Sequence, residues 1–209
     1  MALPVILWVY LYICHVYNIP LESISHYYYT RAGTIFAIIV SLLAIFLIVY
    51  KGEEQVDFYI SLTAGVFALC VLLFPTSNLC KKCIDNDHIY CVTILPENEA
   101  REIFHYISAG IFLSCLAVLS LFLFTKSNMP AIQRGPAKIT RNRIYRTCGI
   151  IMVLAILVML FGGFLELIPK KFYGANHITF WMEALAVEAF GFSWLVKGEA
   201  LFKDIYRKI

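Results

Sequence analysis

Five apolar runs, at about 32–50, 58–75, 103–125, 148–168 and 178–197, constrain this chain more than any other feature. Each is close to the ~20 residues an α-helix needs to cross about 30 Å of hydrocarbon. Inside a bilayer every backbone N–H and C=O must be satisfied within the segment, so helices are expected. A shorter run, LPVILWVYLYICHVY at 3–17, carries His15 and three tyrosines and is read as a sixth span. With 61% hydrophobic and only 15% charged residues, the composition excludes an ordinary soluble domain, which carries about a quarter charged residues. The expected fold is all-α: one integral membrane domain, residues 1–209, forming a six-helix transmembrane bundle. No basic stretch precedes the apolar MALPVILW, so a cleaved signal peptide is not expected.

Lysine and arginine set the orientation. Eleven fall on one face: Lys51, Lys126, Arg134, Lys138, Arg141, Arg143, Arg146, Lys197, Lys203, Arg207 and Lys208. The opposite face has six: Arg31, Lys81, Lys82, Arg101, Lys170 and Lys171. Both termini are therefore expected in the cytoplasm. The basic loop at 126–146 reads as a topology determinant, with contact to anionic headgroups as the sharper alternative.

In this frame every histidine lies toward the outer side: His15, His26, His88, His105 and His177. Glu166 closes the fifth span there and Glu183 opens the sixth. Glu188 lies about one and a half turns deeper than Glu183, where a carboxylate costs roughly 2.5–3.5 kcal/mol to insert. Ala184, Glu188 and Gly191 share a helical stripe, so Glu188 is expected to face the bundle. There it would hydrogen-bond two helices together or pair with His105, Arg31 or another donor. His105, Ser108 and Ala109 form a similar small, polar line on the fourth span. The candidate ligand-binding set is His26, Arg31, His105, Ser108, Glu166, His177, Glu183 and Glu188, around an outer-half cavity. Each outer-end residue taken singly also fits as a headgroup-level side chain. Tyr27, Tyr28, Tyr29, Trp181 and Trp194 fit an interfacial belt better than an acyl-chain lining.

Cys80-x2-Cys83-x4-His88-x2-Cys91 stands in the outer loop at 79–91. Outside the cytoplasm thiols oxidise, which favours a disulfide from Cys91 to Cys80 or Cys83. A zinc site and a Cys80-x-x-Cys83 redox pair are the alternatives. Cys14, Cys70, Cys115 and Cys148 read as small packing residues.

ISHYYYTRAGTIF (24–36), FHYISAGIF (104–112) and EALAVEAFGFSWLVKGEALFKD (183–204) resemble segments of the damage-regulated autophagy modulator (DRAM)/Sfk group and of related bacterial membrane proteins. His26 stands where that group usually has Asp. The resemblance implies six helices with cytoplasmic termini and a link to lipid and membrane homeostasis, including lipid-anchor remodelling and phosphoinositide organisation. It connects His105 and Glu183, and more weakly Ser25, with the family pattern.

The leading functional expectation is an integral membrane protein binding a lipid or a membrane partner through its outer polar cavity. No cofactor and no nucleic acid are expected. One alternative is an intramembrane zinc-dependent lipid amide or ester hydrolase with His105, His177 and Glu183 as ligands. It is argued against by the absence of a His-x-x-x-His pair on the last helix. Another alternative is a proton-coupled transporter or channel titrating Glu188.

Overall fold

A computed structural model describes residues 2–14, 18–52, 54–78, 91–126, 136–198 and 201. Among these the chain is helical, with one isolated antiparallel bridge between Thr30 and Cys91. The helices are α1 Leu3–Ile13, α2 Gly33–Val49, α3 Gln55–Leu73, α4 Glu99–Val118, α5 Pro136–Val158, α6 Lys170–Ala175 and α7 Ile178–Lys197. A 3₁₀ segment, Ile24–Tyr29, precedes α2. Wider π-turns extend α4 over Leu119–Leu123 and α5 over Met159–Phe164. Successive long helices are neighbours in space, and α1 sits between α2 and α7, closing the ring.

Three helices are long and apolar enough to cross a membrane: Gln55–Leu73, Glu99–Leu123 and Pro136–Phe164. These mark a membrane protein. The last helix, Ile178–Lys197, has 20 residues and two carboxylates in its apolar run, and α2 has 17 residues. Of the expected span at 3–17 the structure describes α1 with 11 residues, about 16 Å of rise against about 30 Å of hydrocarbon, and residues 15–17 lie outside the described residues. Trp8 packs edge-on against Trp181, at 6.1 Å between centroids, so α1 lies beside the first turns of α7. His15 is outside the described residues, as are Cys80, Cys83 and His88. The basic stretch at 126–146 is a loop in the sequence reading, and its residues 127–135 lie outside the described residues. From Pro136 onward it is helix, and Arg141 is buried.

Local chemistry sets the helix ends. Glu54 and Asp57 form a reciprocal capping box on α3, and Lys126 Nζ ties both carboxylates to the end of α4 at 2.7 and 2.9 Å. Asn98 caps α4 by accepting from the Arg101 N–H at 3.0 Å, with Glu99 and Glu102 in the first turn, where the helix dipole favours acid. Between the helices small residues allow close approach. Gly65 of α3 lies against the Ala44 carbonyl of α2, and Ser61 donates to the Leu47 carbonyl at 2.6 Å. Ser120 joins three helices, donating to the Tyr145 carbonyl at 3.0 Å with its oxygen 2.7 Å from the Ser193 hydroxyl.

Candidate functional site

Leu-Glu-Ser-Ile-Ser-His (21–26) builds the core of the site. Ser23 adopts an extended backbone and caps the 3₁₀ segment, its Oγ accepting from the Ser25 N–H at 3.1 Å. The same hydroxyl donates to the Glu183 carboxylate, 2.8 Å from Oε2 and 3.0 Å from Oε1. The Ile24 N–H reaches Glu183 Oε2 at 2.7 Å. One turn away the Phe180 N–H donates to the Glu22 carbonyl at 3.0 Å. The start of α7 is thereby stitched to residues 22–24 by main-chain and carboxylate bonds together.

The other side is built by the end of α3. Pro75 cannot continue a helix, and the carbonyls exposed at the stop need donors. His105 Nδ1 is 2.8 Å from the Phe74 carbonyl, Arg101 Nε donates to the Pro75 carbonyl at 3.1 Å, and the Tyr29 hydroxyl donates to the Thr76 carbonyl. Across the ring, His105 Nε2 lies 3.1 Å from Ser25 Oγ. A carbonyl only accepts, so Nδ1 carries the imidazole proton. Nε2 is then the acceptor, and the Ser25 hydroxyl donates to it. Ser23, Ser25, His26 and His105 are all buried. The Val92 N–H closes over this face by donating to the Tyr29 carbonyl at 2.8 Å.

Two of the eight candidates, His105 and Glu183, thus meet on adjacent parts of the 3₁₀ segment. His26 joins them: it is 8% exposed, and its Nδ1 has no partner among the described residues. Burial first, and then the nearby His105, pushes its imidazole down to about 4. A folded pKa below the unfolded 6.5 means the unfolded chain takes up the proton first. Stability present above pH 6.5 is therefore lost as pH falls toward 4, by about 3 kcal/mol over the whole window. The expected result is a melting temperature that falls between pH 7 and 4.5, and falls much less in His26→Gln. Equal pH slopes in the two proteins would contradict the assignment.

Ser108 is fully buried one turn below His105, and its Oγ has no partner among the described residues. Glu188 faces protein on one oxygen: Oε1 is covered and unpartnered among the described residues. The pairing of Glu188 with His105 or Arg31 is corrected, since His105 bonds Ser25 and Phe74 while Arg31 is exposed. Glu166 stands apart, exposed and ion-paired with Lys170 at 2.7 Å. His177 begins α7 in a left-handed conformation (φ 49°), its Nδ1 covered and without a partner among the described residues.

Among the described residues no group of three or more His, Cys, Asp or Glu is placed to hold a metal. His105, His177 and Glu183 therefore do not form the ligand set considered from the sequence. The disulfide expected from Cys91 to Cys80 or Cys83 falls outside the described residues at its Cys80 or Cys83 end, and no disulfide occurs among the described residues. The belt reading of the tyrosines is corrected for Tyr27 and Tyr29, which are 0% and 1% exposed. Tyr27 packs on Phe180 at 6.1 Å. Trp181 remains 46% exposed, as a belt residue should be.

Sequence reasoning missed Ser23 and the Phe74 carbonyl. The Ser-x-Ser spacing before an aromatic run is a cap signal for the first. Phe-Pro-Thr after an apolar helix marks where carbonyls become free for the second. No family model matches this chain, and neither the curated proteins nor the solved structures yield a match.

Proposed function

We propose that this multi-pass membrane protein, of the DRAM/Sfk type, binds the polar headgroup of a membrane lipid at the outer-side cluster. In this reading α2, α3, α4, α5 and α7 cross the bilayer while α1 lines its outer half, and the α4–α5 connection and the C-terminal end face the cytoplasm. The eleven-to-six distribution of lysine and arginine supports that orientation.

The observation that carries the binding reading is the set of covered polar atoms left over beside the network. His26 Nδ1, Ser108 Oγ and Glu188 Oε1 have no partner among the described residues. Ser108 lies about 4.5 Å below His105, and Glu188 about 7.5 Å below Glu183 on the parallel helix. Buried polar groups in native proteins are nearly always satisfied, by protein, water or ligand. A headgroup with hydroxyl and phosphate oxygens offers both donors and acceptors to such a set.

Native mass spectra of the protein extracted with its lipids test this reading. Wild type is expected to retain a lipid adduct. Glu188→Gln and His105→Ala are expected to weaken retention about 10-fold each, the equivalent of one hydrogen bond to a charged or imidazole group. Adducts of equal abundance in all three proteins would reject the site.

A further inference from the structure

The bonds around His105 have a chemical consequence beyond binding. Its Nδ1–H is held by the Phe74 carbonyl at 2.8 Å, and its lone pair at Nε2 receives the Ser25 hydroxyl at 3.1 Å. A serine hydroxyl, an acceptor imidazole nitrogen and a third group orienting the ring are the parts of an activated nucleophile. Here a main-chain carbonyl takes the orienting place that a carboxylate fills elsewhere. It fixes the same tautomer, because it can only accept.

Two more observations bear on what would react there. First, depth: Ser25 is joined through Ser23 to Glu183, two residues along α7 from the half-exposed Trp181. Tryptophans of this kind sit at the level of lipid headgroups, and the carboxylic esters of glycerolipids lie just beneath those headgroups. Second, His26 follows Ser25 directly and leaves a covered ring nitrogen without a partner among the described residues. The N–H groups of Ile24, Ser25 and His26 are already engaged by Glu183, Ser23 Oγ and the Ser23 carbonyl. His26 Nδ1 is thus a covered polar atom without a partner among the described residues, one residue from Ser25.

We propose that Ser25 and His105 act as nucleophile and general base in cleaving a carboxylic ester of a membrane lipid. The inference rests on the headgroup reading for its substrate. Ser25 Oγ bonds to the ester carbonyl carbon as its proton passes to His105 Nε2. When the tetrahedral adduct collapses, the bond to the lipid's alcohol oxygen breaks and His105 returns that proton to the departing oxygen. Water then attacks acyl-Ser25 and gives His105 a proton, which returns to Ser25 Oγ as the fatty acid leaves. One ester and one water become one acid and one alcohol. Ser25 is 8% exposed, so a substrate reaches it only when the 3₁₀ segment shifts outward.

The test uses the full chain in lipid nanodiscs with a long-chain alkyl fluorophosphonate, followed by intact mass and peptide mapping. Wild type is expected to gain one phosphonyl group on Ser25, and Ser25→Ala none. His105→Gln keeps a hydrogen-bonding side chain but no base, and is expected to label about 100-fold more slowly or worse. Circular dichroism melts on both variants confirm that they are folded. Wild type without an adduct, an adduct on another serine, or His105→Gln labelling at the wild-type rate would each overturn the proposal. Native mass spectra of the same samples separate the two readings: lipid retained by an unlabelled wild type rejects the chemistry alone, whereas lipid lost rejects the headgroup site as well.

Discussion

Glu183→Ala is expected to destabilise the folded protein by about 2–4 kcal/mol, since two buried donors each lose an acceptor at about 1–3 kcal/mol apiece. The carboxylate takes three contacts at once, two from the Ser23 hydroxyl and one from the Ile24 N–H. Alanine leaves that hydroxyl and that amide N–H without an acceptor in a place water does not easily reach. The loss spreads, because Ser23 also holds the Ser25 N–H, and the 3₁₀ segment then loses its tie to α7. Glu183→Gln retains one acceptor oxygen and should cost about half as much. Thermal unfolding in detergent checks this, with a drop of about 10 °C expected for alanine in a chain of this size. An alanine variant that melts with wild type would show that Glu183 is not a structural clamp.

Gly33→Ala is the second large effect. A Cβ at Gly33 would overlap the Tyr28 carbonyl oxygen and approach the Tyr28 carbonyl carbon to 3.2 Å and the Tyr27 oxygen to 3.4 Å. These are backbone atoms of the 3₁₀ segment, so no side-chain rotation relieves the contact. Gly33 is also the first residue of α2, bonded from its N–H to the Thr30 carbonyl at 2.9 Å. One methyl group should therefore cost about 1–3 kcal/mol and displace Ser23 and Ser25 from Glu183 and His105. Gly110 of α4 is the control: nothing lies within 4 Å of the position its Cβ would take. Gly110→Ala is expected to be neutral or stabilising by up to about 1 kcal/mol through helix propensity. Melts of the two variants decide the matter, and equal stability would contradict the close approach at Gly33.

Much of the helical layout was legible from hydropathy alone. The run at 178–197 coincides with α7, and that at 58–75 lies within three residues of α3. Long apolar segments have one stable answer in lipid. His105 and Glu183 were also legible, because an imidazole and a carboxylate at the outer ends of apolar helices need partners.

What those groups bond to was not legible, for three physical reasons. Ser23 and the Phe74 carbonyl act through backbone geometry, and a main-chain carbonyl carries no mark in the sequence. Tyr27 and Tyr29 have the amphipathic character of interfacial residues, yet their hydroxyls find main-chain partners inside the fold. Finally, hydropathy does not count helical turns. It ran the first apolar stretch on to residue 17 where α1 ends at Ile13, and began the fifth at 148 where the helix starts at Pro136. Several of the polar groups consequently meet on a buried segment of the chain itself, Ser23 to His26.

The ring nitrogens of His105 offer the most direct test. Nitrogen-15 NMR of histidine-labelled protein in nanodiscs, assigned by comparison with His105→Gln, reads which nitrogen carries the proton. The account predicts a neutral ring protonated at Nδ1, with an Nε2 resonance that moves when Ser25 is changed to alanine. A ring protonated at Nε2, or one indifferent to Ser25→Ala, would contradict it.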